Sequence, residues 1–532
     1  LPLGGYCKIC GMIDESMDLE SIKKDPQPWE FRTKKAWQRL LVMGGGVLYN
    51  FIFAIIAYIG IMAIWGSAYI SNEGSQIYTN ELGVELGFRN GDHIINMVVD
   101  KLAEMGYKNL TLAASSLATV HAPLIRHIKN GVITHIETSG LRGELAEEIS
   151  RGLMDCPVVF RSHGGRASAI RSGDLHIDVA FLGAPSCDPY GNANGYSRDD
   201  DDGIACGSLG YARTDAKYAD NVIIITNHLV AYPNAPWAIP EYDVDYVVLT
   251  DDIGDPKGIM SGATRYTKNP KELLIAKTAA NVIEATGYLY DGFSMQMGSG
   301  GASLATARFL RQKMLDQHIH CRFALGGITG QITAMHEEGL IDRVLDVQSF
   351  DLDAALSLKN NHFHHQIGAT YYASHMISAA VDQLDFVILS ALEIDTDFNV
   401  NVLTGSDGVI RGAIGGHPDT AEGASLSVVV APLTRGRIPT IVKHVNTVVT
   451  PGEVVDVVVT EQGIAVNPRR PDLKEKIEAA GLHVFTIEQL QQRAEALVGV
   501  PEPIRYKDRI VGVVMYRDNT IIDVVHEIDE DA

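Results

Sequence analysis

Residues 271–310 read KELLIAKTAANVIEATGYLYDGFSMQMGSGGASLATARFL, and the fold turns on how this stretch is parsed. A helical run over 271–289 leads into a short β-type run, FSMQM at 293–297, and the glycines of GSGGA at 298–302 open a second helical run. Helix, strand, glycine loop and helix in that order is the repeating unit of a parallel sheet covered by helices. The same order recurs outward in both directions. Val- and Ile-rich runs followed by Gly or Pro loops are VITHIET (132–138), CPVVFR (156–161), HIDVAFLG (176–183), NVIIIT (221–226), VDYVVLT (244–250), DFVILSALEI (385–394), SLSVVVAPL (425–433) and VVDVVVTEQGIAV (454–466). Strands that are nearly continuously apolar are buried on both faces, so the sequence predicts an α/β fold.

The chain has 532 residues, 46% of them hydrophobic and 21% charged, with a formal net charge of −22 and six cysteines. This composition fits a globular chain of roughly three to four domains and excludes disordered, collagenous and disulfide-scaffold classes. An acidic balance without long basic stretches argues against nonspecific nucleic-acid binding. Few, unevenly spaced cysteines suit a reducing compartment. From residue 101 on, the chain is too long for one sheet of usual size. Two α/β domains, 101–285 and 286–532, are expected, divided near 280–295 where the long helix gives way to DGFSMQMGSGGASLA.

Residues 1–100 differ in character. No charged residue occurs from Leu40 to Asn72, and VLYNFIFAIIAYIGIMAIWGSAYI at 47–70 is long enough to span a bilayer. Lys34, Lys35 and Arg39 precede it, which places its N-terminal side in the cytoplasm; the alternative is a buried helix of a large core. The run starts too late and is too long for a signal peptide. LPLGGYCKICGMIDES, KKAWQRLLVMGGGVLYNFIFAIIAYI and ELGFRNGDHIIN, in that order over residues 1–97, resemble a bacterial site-2 membrane zinc metalloprotease entering its PDZ domain. The HExxH helix that such zinc chemistry needs does not occur in the sequence, so the segment is expected to be proteolytically inert. Cys7 and Cys10 form a lone CxxC, and no residue set is assigned to a metal.

Three glycine loops stand at the ends of β-type runs: Gly298, Gly300 and Gly301 in GSGGA; Gly326–Gly330; and Gly412–His417 with Gly415 and Gly416. Their free amides favour an anion or carbonyl oxygen, and together they predict one extended cleft at strand C-termini. GxGGA departs from the dinucleotide fingerprint GxGxxG. Polar groups adjoin these loops: Ser162–Arg166, Asn192, Asn194 and Cys206, then Glu393, Asp395, Asn399 and Asn401, then Arg435 and Arg437. Arginine grips carboxylates in bidentate fashion, so a polycarboxylate substrate is reasonable. No GxSxG elbow supports a Ser-His-Asp hydrolase in this region. The run RDDDD at 198–202 reads as a solvated loop tip.

The long motifs FRSHGGRASAI, HIDVAFLGAPSCDPYGNANG, DGFSMQMGSGGASLA, LDVQSFD, SALEIDTDFNVNVLTGSDGVIRGAIGGHPDTAEGA, PLTRGRIPT and VVTEQGIAVNPRRPDL resemble the citrate lyase alpha subunit family from about residue 101 to the end. The resemblance implies a two-domain CoA-transferase fold and an enzyme, a citrate:acetyl-carrier-protein transferase. It also implies a CoA-like, phosphopantetheine-type arm on a partner acyl carrier (gamma) subunit, or acetyl-CoA, with no covalently bound cofactor of its own. A beta subunit, an oligomer and a cytoplasmic location for the transferase part are further implied. At LDVQSFD the position equivalent to the nucleophilic Glu of many CoA-transferases is Gln348, which implies direct attack by substrate carboxylate through a mixed anhydride. Glu393 is a reserve catalytic candidate and His417 a neighbour of the site. Gly298, Gly300, Gly301, Gly415 and Gly416 are assigned to the thioester arm and oxyanion, and Arg411, Arg435 and Arg437 to citrate. Two alternatives stay open: a general carboxylate CoA-transferase, and an inert membrane-anchored PDZ-type remnant. Because inserting 47–70 would place the transferase away from its carrier, a junction between unrelated sequences, artificial or misassembled, is expected near 97–103.

Overall fold

The computed structural model describes residues 27–28, 30–39, 94–197, 205–250, 253–254, 267–298 and 300–529. The chain divides into two compact units, 1–76 and 77–532. Among the described residues of the first, a 3-10 turn at Phe31–Thr33 is closed by the Thr33 hydroxyl, which donates to the Glu30 carbonyl at 2.7 Å. Among the described residues no helix is long and apolar enough to cross a membrane. The membrane-spanning helix expected over 47–70 lies outside them, as do Cys7, Cys10 and RDDDD, so that part of the expected architecture has no structural support.

The second unit is mixed α/β. Among the described residues its largest sheet has nine strands, in the order His364–Gln366, Val344–Ser349, Cys321–Ile328, Phe293–Met297, Phe386–Ser390, Leu426–Val430, Val457–Thr460, Gly463–Val466 and Val484–Phe485. The first seven run parallel, and Gly463–Val466 turns back antiparallel. Alternation explains the apolar runs. Phe386, Ile388, Val428, Val457 and Val459 face one core, whereas Val387, Leu389, Val429 and Val458 face another on the opposite side. Phe293 and Phe386 stack at 5.4 Å in the first core, under the helix Pro270–Thr286. That helix starts where Asn269 Oδ1 accepts from the Lys271 amide at 3.0 Å, with Pro270 in its first turn, and ends at Gly287 in the left-handed region.

A five-stranded sheet orders Leu110–Ala114, Ile133–Thr138, Val158–Phe160, Tyr506–Met515 and Ile521–Ile528, the first four parallel. The C-terminal hairpin therefore returns to the N-terminal part of the unit, and Val511, Val514 and Val525 share a core with Ile133, Ile136 and Phe160. A third sheet, parallel throughout, pairs Val179–Gly183, Asn221–Thr226 and Tyr246–Leu249.

The helix Ile94–Glu104 runs straight through the junction expected at 97–103. Val99 enters the core of the five-stranded sheet, while Met97 and Val98 pack with Ile225 and Val248 of the third sheet. Burying side chains of this size contributes about 1.5–3 kcal/mol each. These residues belong to the α/β unit, and the motif GDHIIN, assigned from sequence to the preceding segment, contributes its last three residues to this helix.

The two larger sheets meet where the helix His163–Ser172 lies against Ala369–Ala373. A Cβ on Gly164 would stand 2.1 Å from the Ala373 carbonyl oxygen and 2.6 Å from Asp419 Oδ1. Gly164→Ala is expected to cost about 1–3 kcal/mol, read as a lower urea midpoint; an unchanged midpoint would show that these helices part freely.

Candidate active site

The loops singled out in the sequence lie at the C-terminal edge of the large parallel sheet. The strand Phe293–Met297 ends at Gly298, whose amide donates to the Ile388 carbonyl at 2.7 Å, and the helix Gly301–Gln317 opens immediately after. Glycine is needed here by close approach: a Cβ on Gly300 would lie 2.0 Å from Ser390 Oγ. Gly415 and Gly416 come in from the start of the helix His417–Gly423. The Gly415 carbonyl accepts from the His163 amide at 3.0 Å, and a Cβ on Gly416 would meet the Tyr372 hydroxyl at 2.6 Å.

Between these loops is a chain of buried polar groups. Gln296 Nε2 donates to the Tyr372 hydroxyl at 2.9 Å, which leaves the hydroxyl hydrogen available for donation. The His163 ring packs on the Tyr211 ring at 4.4 Å. Burial, reinforced by Arg166, holds the His163 pKa down to about 3, so its imidazole is neutral; burial likewise pushes the Tyr372 hydroxyl up. Gln296 Oε1 and His163 Nδ1 are both buried and have no hydrogen-bond partner among the described residues. Unpartnered buried polar atoms are costly in a finished core and expected in a lining that receives a polar ligand.

The other residues nominated from sequence are placed as follows. Gln348 is exposed at the end of Val344–Ser349, on the same sheet edge as Gly298 and Ser390. Beside it, buried Asp346 accepts from Ser349 Oγ at 2.6 Å and is 3.1 Å from His364 Nε2, which fixes the strand end. Glu393 is buried, its oxygens taken by the Asn401 side chain at 2.9 Å and by the Asn446 amide and side chain at 3.0 and 2.9 Å. Burial pushes its pKa up. His417 is also buried: Nε2 donates to the Ser390 carbonyl at 3.0 Å and Nδ1 accepts from Thr450 Oγ1 at 2.7 Å. Arg435 donates to the Ala391 carbonyl, one residue beyond Ser390, with Glu272 as its nearest acidic influence; a Cβ on Gly301 would touch that same Glu272 carboxylate. Arg435 thus sits beside the 298–301 loop. Arg411 is in a surface cluster with Asp407 at 2.5 Å and Glu147 at 3.7 Å, and Arg437 is exposed at the turn between Thr434–Arg435 and Ile438–Pro439. The sequence did not single out Gln296, Tyr211 or Tyr372. Nothing local marks the two tyrosines, although Gln296 is the one polar amide inside FSMQM.

Strand ends of a parallel sheet carrying glycine loops around buried, neutral polar groups thus form the candidate site of an α/β protein. The family model for the citrate lyase alpha subunit (CitF) matches residues 80–528. The chain is 57% identical to the citrate lyase alpha chain of Haemophilus influenzae over 444 residues, 83% of this chain and 88% of that protein. It is equally identical to that of Escherichia coli over 444 residues, 83% and 86% of the two chains. A solved structure of the citrate lyase alpha subunit of Streptococcus mutans, in complex with citrate, superposes with a TM-score of 0.80 at 57% identity, over 84% of this chain and 87% of that one. The alpha subunit of malonate decarboxylase from Acinetobacter baumannii shares the fold, with a TM-score of 0.56 at 17% identity over 76% and 87% of the chains. The chain belongs to the citrate lyase alpha subunit family. A stretch of 102 residues, 19% of the chain, is 31% identical to a zinc metalloprotease homologue of Clostridium perfringens and spans 27% of that protein. The family match begins at residue 80, about 20 residues before the boundary read from the motifs, in accord with the packing of Ile94–Glu104.

Burial holds the His417 pKa down to about 4, so its neutral form stabilises the fold fully above the ordinary value of 6.5, and this contribution is lost as pH falls toward 4. Between pH 7.5 and 5 the parent chain should lose about 2 kcal/mol more stability than His417→Gln in urea unfolding; parallel losses would show that His417 does not titrate with unfolding.

Proposed function

We propose that the site exchanges a carrier thiol between acetate and citrate: acetyl thioester and citrate give citryl thioester and acetate. The thioester enters as substrate on a CoA-like, phosphopantetheine-type arm of an acyl carrier (gamma) subunit, or as acetyl-CoA, and a beta subunit cleaves the citryl product. The observation that carries this reading is the buried, uncharged lining of Gln296, His163 and Tyr372, with two unpartnered polar atoms, beside glycine loops packed closely against Ser390 and Tyr372. The citrate seen bound to the Streptococcus mutans relative supports citrate as the acceptor.

In the first step a citrate carboxylate oxygen bonds to the thioester carbonyl carbon, an oxyanion forms and collapses, and the C–S bond breaks to release thiolate and a mixed anhydride. The thiolate then adds to the citryl carbonyl and acetate leaves, so no proton is consumed overall. Amides of Gly300, Gly301, Gly415 and Gly416, with the Tyr372 hydroxyl, are the donors offered to the oxyanion, whereas the Gly298 amide is taken by the Ile388 carbonyl; Arg435 supplies the cation that holds citrate at the rim. Neutral donors in a dry site gain strength as charge develops and cost little to bury beforehand. Gln348 cannot act as a carboxylate nucleophile. Glu393, saturated by three hydrogen bonds, and His417, with both ring nitrogens engaged, act by holding the loops that follow Ser390.

The assay is citrate-dependent acetate release from acetyl-carrier protein or acetyl-CoA, with acetate and butyrate as competing acceptors; butyrate used as well as citrate would favour the general CoA-transferase. Arg435→Ala should raise the citrate KM about tenfold or more, the loss of one charge-assisted contact, and an unchanged KM removes Arg435 from the site. With acetyl-labelled thioester and no citrate, direct attack predicts no label covalently on the chain after denaturation. Stoichiometric label would establish an acyl-enzyme instead.

A further inference from the structure

Two short helices, Ala212–Tyr218 and Ala369–Ala373, form one wall of the active site, to which Tyr211 and Tyr372 belong. Thr214 and Thr370 join the helices through their hydroxyls at 3.1 Å. Away from Tyr211 and Tyr372, the same helices line a separate cavity of about 410 Å³, together with the segment that carries Trp237 and Tyr242. None of Gln296, His163, Tyr211 or Tyr372 lines it.

The cavity has a charge without a match. Arg213 is half-buried and donates one bond, from Nη1 to the Gln366 carbonyl at 3.2 Å; no carboxylate pairs with it among the described residues. Burial presses its pKa down, as expected of a cation that lacks a counter-charge. The second cation, Lys217, is already engaged by Asp243 at 3.2 Å and lies over the Tyr242 ring at 5.7 Å. Around Arg213 are the Thr370 hydroxyl and the rings of Trp237, Tyr242 and Tyr371, which are 43%, 75% and 44% exposed. Large aromatic faces left open beside a guanidinium are suited to a planar ring carrying an anionic group. A guanidinium fork matches phosphate oxygens, aromatic faces stack bases, and the volume is that of a small-molecule site.

We propose that this cavity binds a phosphorylated nucleoside, with the phosphate on Arg213 and the base against Trp237 and Tyr242. The site is distinct from the acyl-transfer cleft. Its existence does not depend on the transferase reading, because binding is measured without turnover.

The test is calorimetry of the full chain with AMP, adenosine and inorganic phosphate as probes. AMP should bind at least tenfold more tightly than either fragment, and Arg213→Met should weaken AMP at least tenfold while the affinity for adenosine stays unchanged. Trp237→Ala, at an exposed ring whose loss the fold tolerates, should weaken AMP and adenosine alike. Coenzyme A competing with AMP would return the nucleotide to the thioester substrate and overturn a separate site; AMP binding without such competition supports it. No AMP binding at millimolar concentration, or equal AMP affinity in the parent and both variants, overturns the proposal.

Discussion

Asp419 has no exposed surface, and both its oxygens are claimed by the other half of the unit: Ser162 Oγ donates at 2.8 Å and the Gly164 amide at 2.9 Å. Burial pushes its pKa up to about 6, against the pull of these bonds and of Arg517. A carboxylate held in this way costs stability unless its donors stay in place, so it enforces one docking of the helix His163–Ser172 on the helix His417–Gly423. The rest of the site follows from that docking. Ser162 caps its helix through the same hydroxyl, His163 comes to rest against Gly415, and Gly416 comes under the Tyr372 hydroxyl. A carboxylate fixed from both sheets therefore sets the positions of an imidazole, a phenol and two adjacent glycines that come from three separate stretches of sequence.

A second constraint is used twice. In the hairpin Ser186–Asn194, Asp188 Oδ1 accepts from the amides of Tyr190 and Asn192 at 2.9 and 3.2 Å, and Asp188 Oδ2 accepts from the Asn192 side chain at 2.8 Å. In the hairpin Glu393–Asn401, Asp395 repeats the pattern with Asp397 and Asn399 at 3.0, 2.9 and 3.1 Å. Gly191 and Phe398, both at positive φ, occupy the same place in the two turns. Each hairpin follows a parallel strand, Val179–Gly183 or Phe386–Ser390, so the two halves of the unit carry the same strand-and-turn device. Glu393 belongs to the second device. Its saturated hydrogen bonds are those of a turn anchor, which explains why an acidic residue is tolerated in a buried position so close to the cleft.

Much of this was legible in the sequence. The doubly buried strands announce themselves because both faces must be apolar, and all eight quoted runs contain strands. The glycine loops were legible because only a missing side chain permits the approaches seen at Gly300 and Gly416. Other features were hidden for physical reasons. The hairpin Tyr506–Ile528 joins a sheet begun some 400 residues earlier, and long-range pairing leaves no local periodicity to read. DPYGNAN at 188–194 and DTDFNVN at 395–401 share Asp and Asn spacing, a signal for the repeated turn that was present but short. Tyr211 and Tyr372 look like ordinary core aromatics until the fold brings their rings to His163 and Gln296. Arg411 was assigned to citrate from the sequence, but Asp407, four residues before it, already takes its guanidinium.

The division between an uncharged interior and a charged rim also follows from the chain's electrostatics. A net charge of −22 repels a polyanion such as citrate at long range, although salt confines that field to about 8 Å at physiological ionic strength. In the proposed exchange, capture depends on cations within a Debye length of the site, a requirement that Arg435 beside the 298–301 loop would meet. Placing the same charge among Gln296, His163 and Tyr372 would hold citrate more tightly before reaction and stabilise the ground state along with the transition state, which brings no gain in turnover. Neutral groups respond differently: a hydroxyl and backbone amides interact weakly with a thioester carbonyl and strongly with the oxyanion derived from it. The depressed pKa of His163 fits the proposed exchange, because an imidazole that stays neutral at physiological pH adds no fixed charge to a lining whose donors would discriminate between those two states.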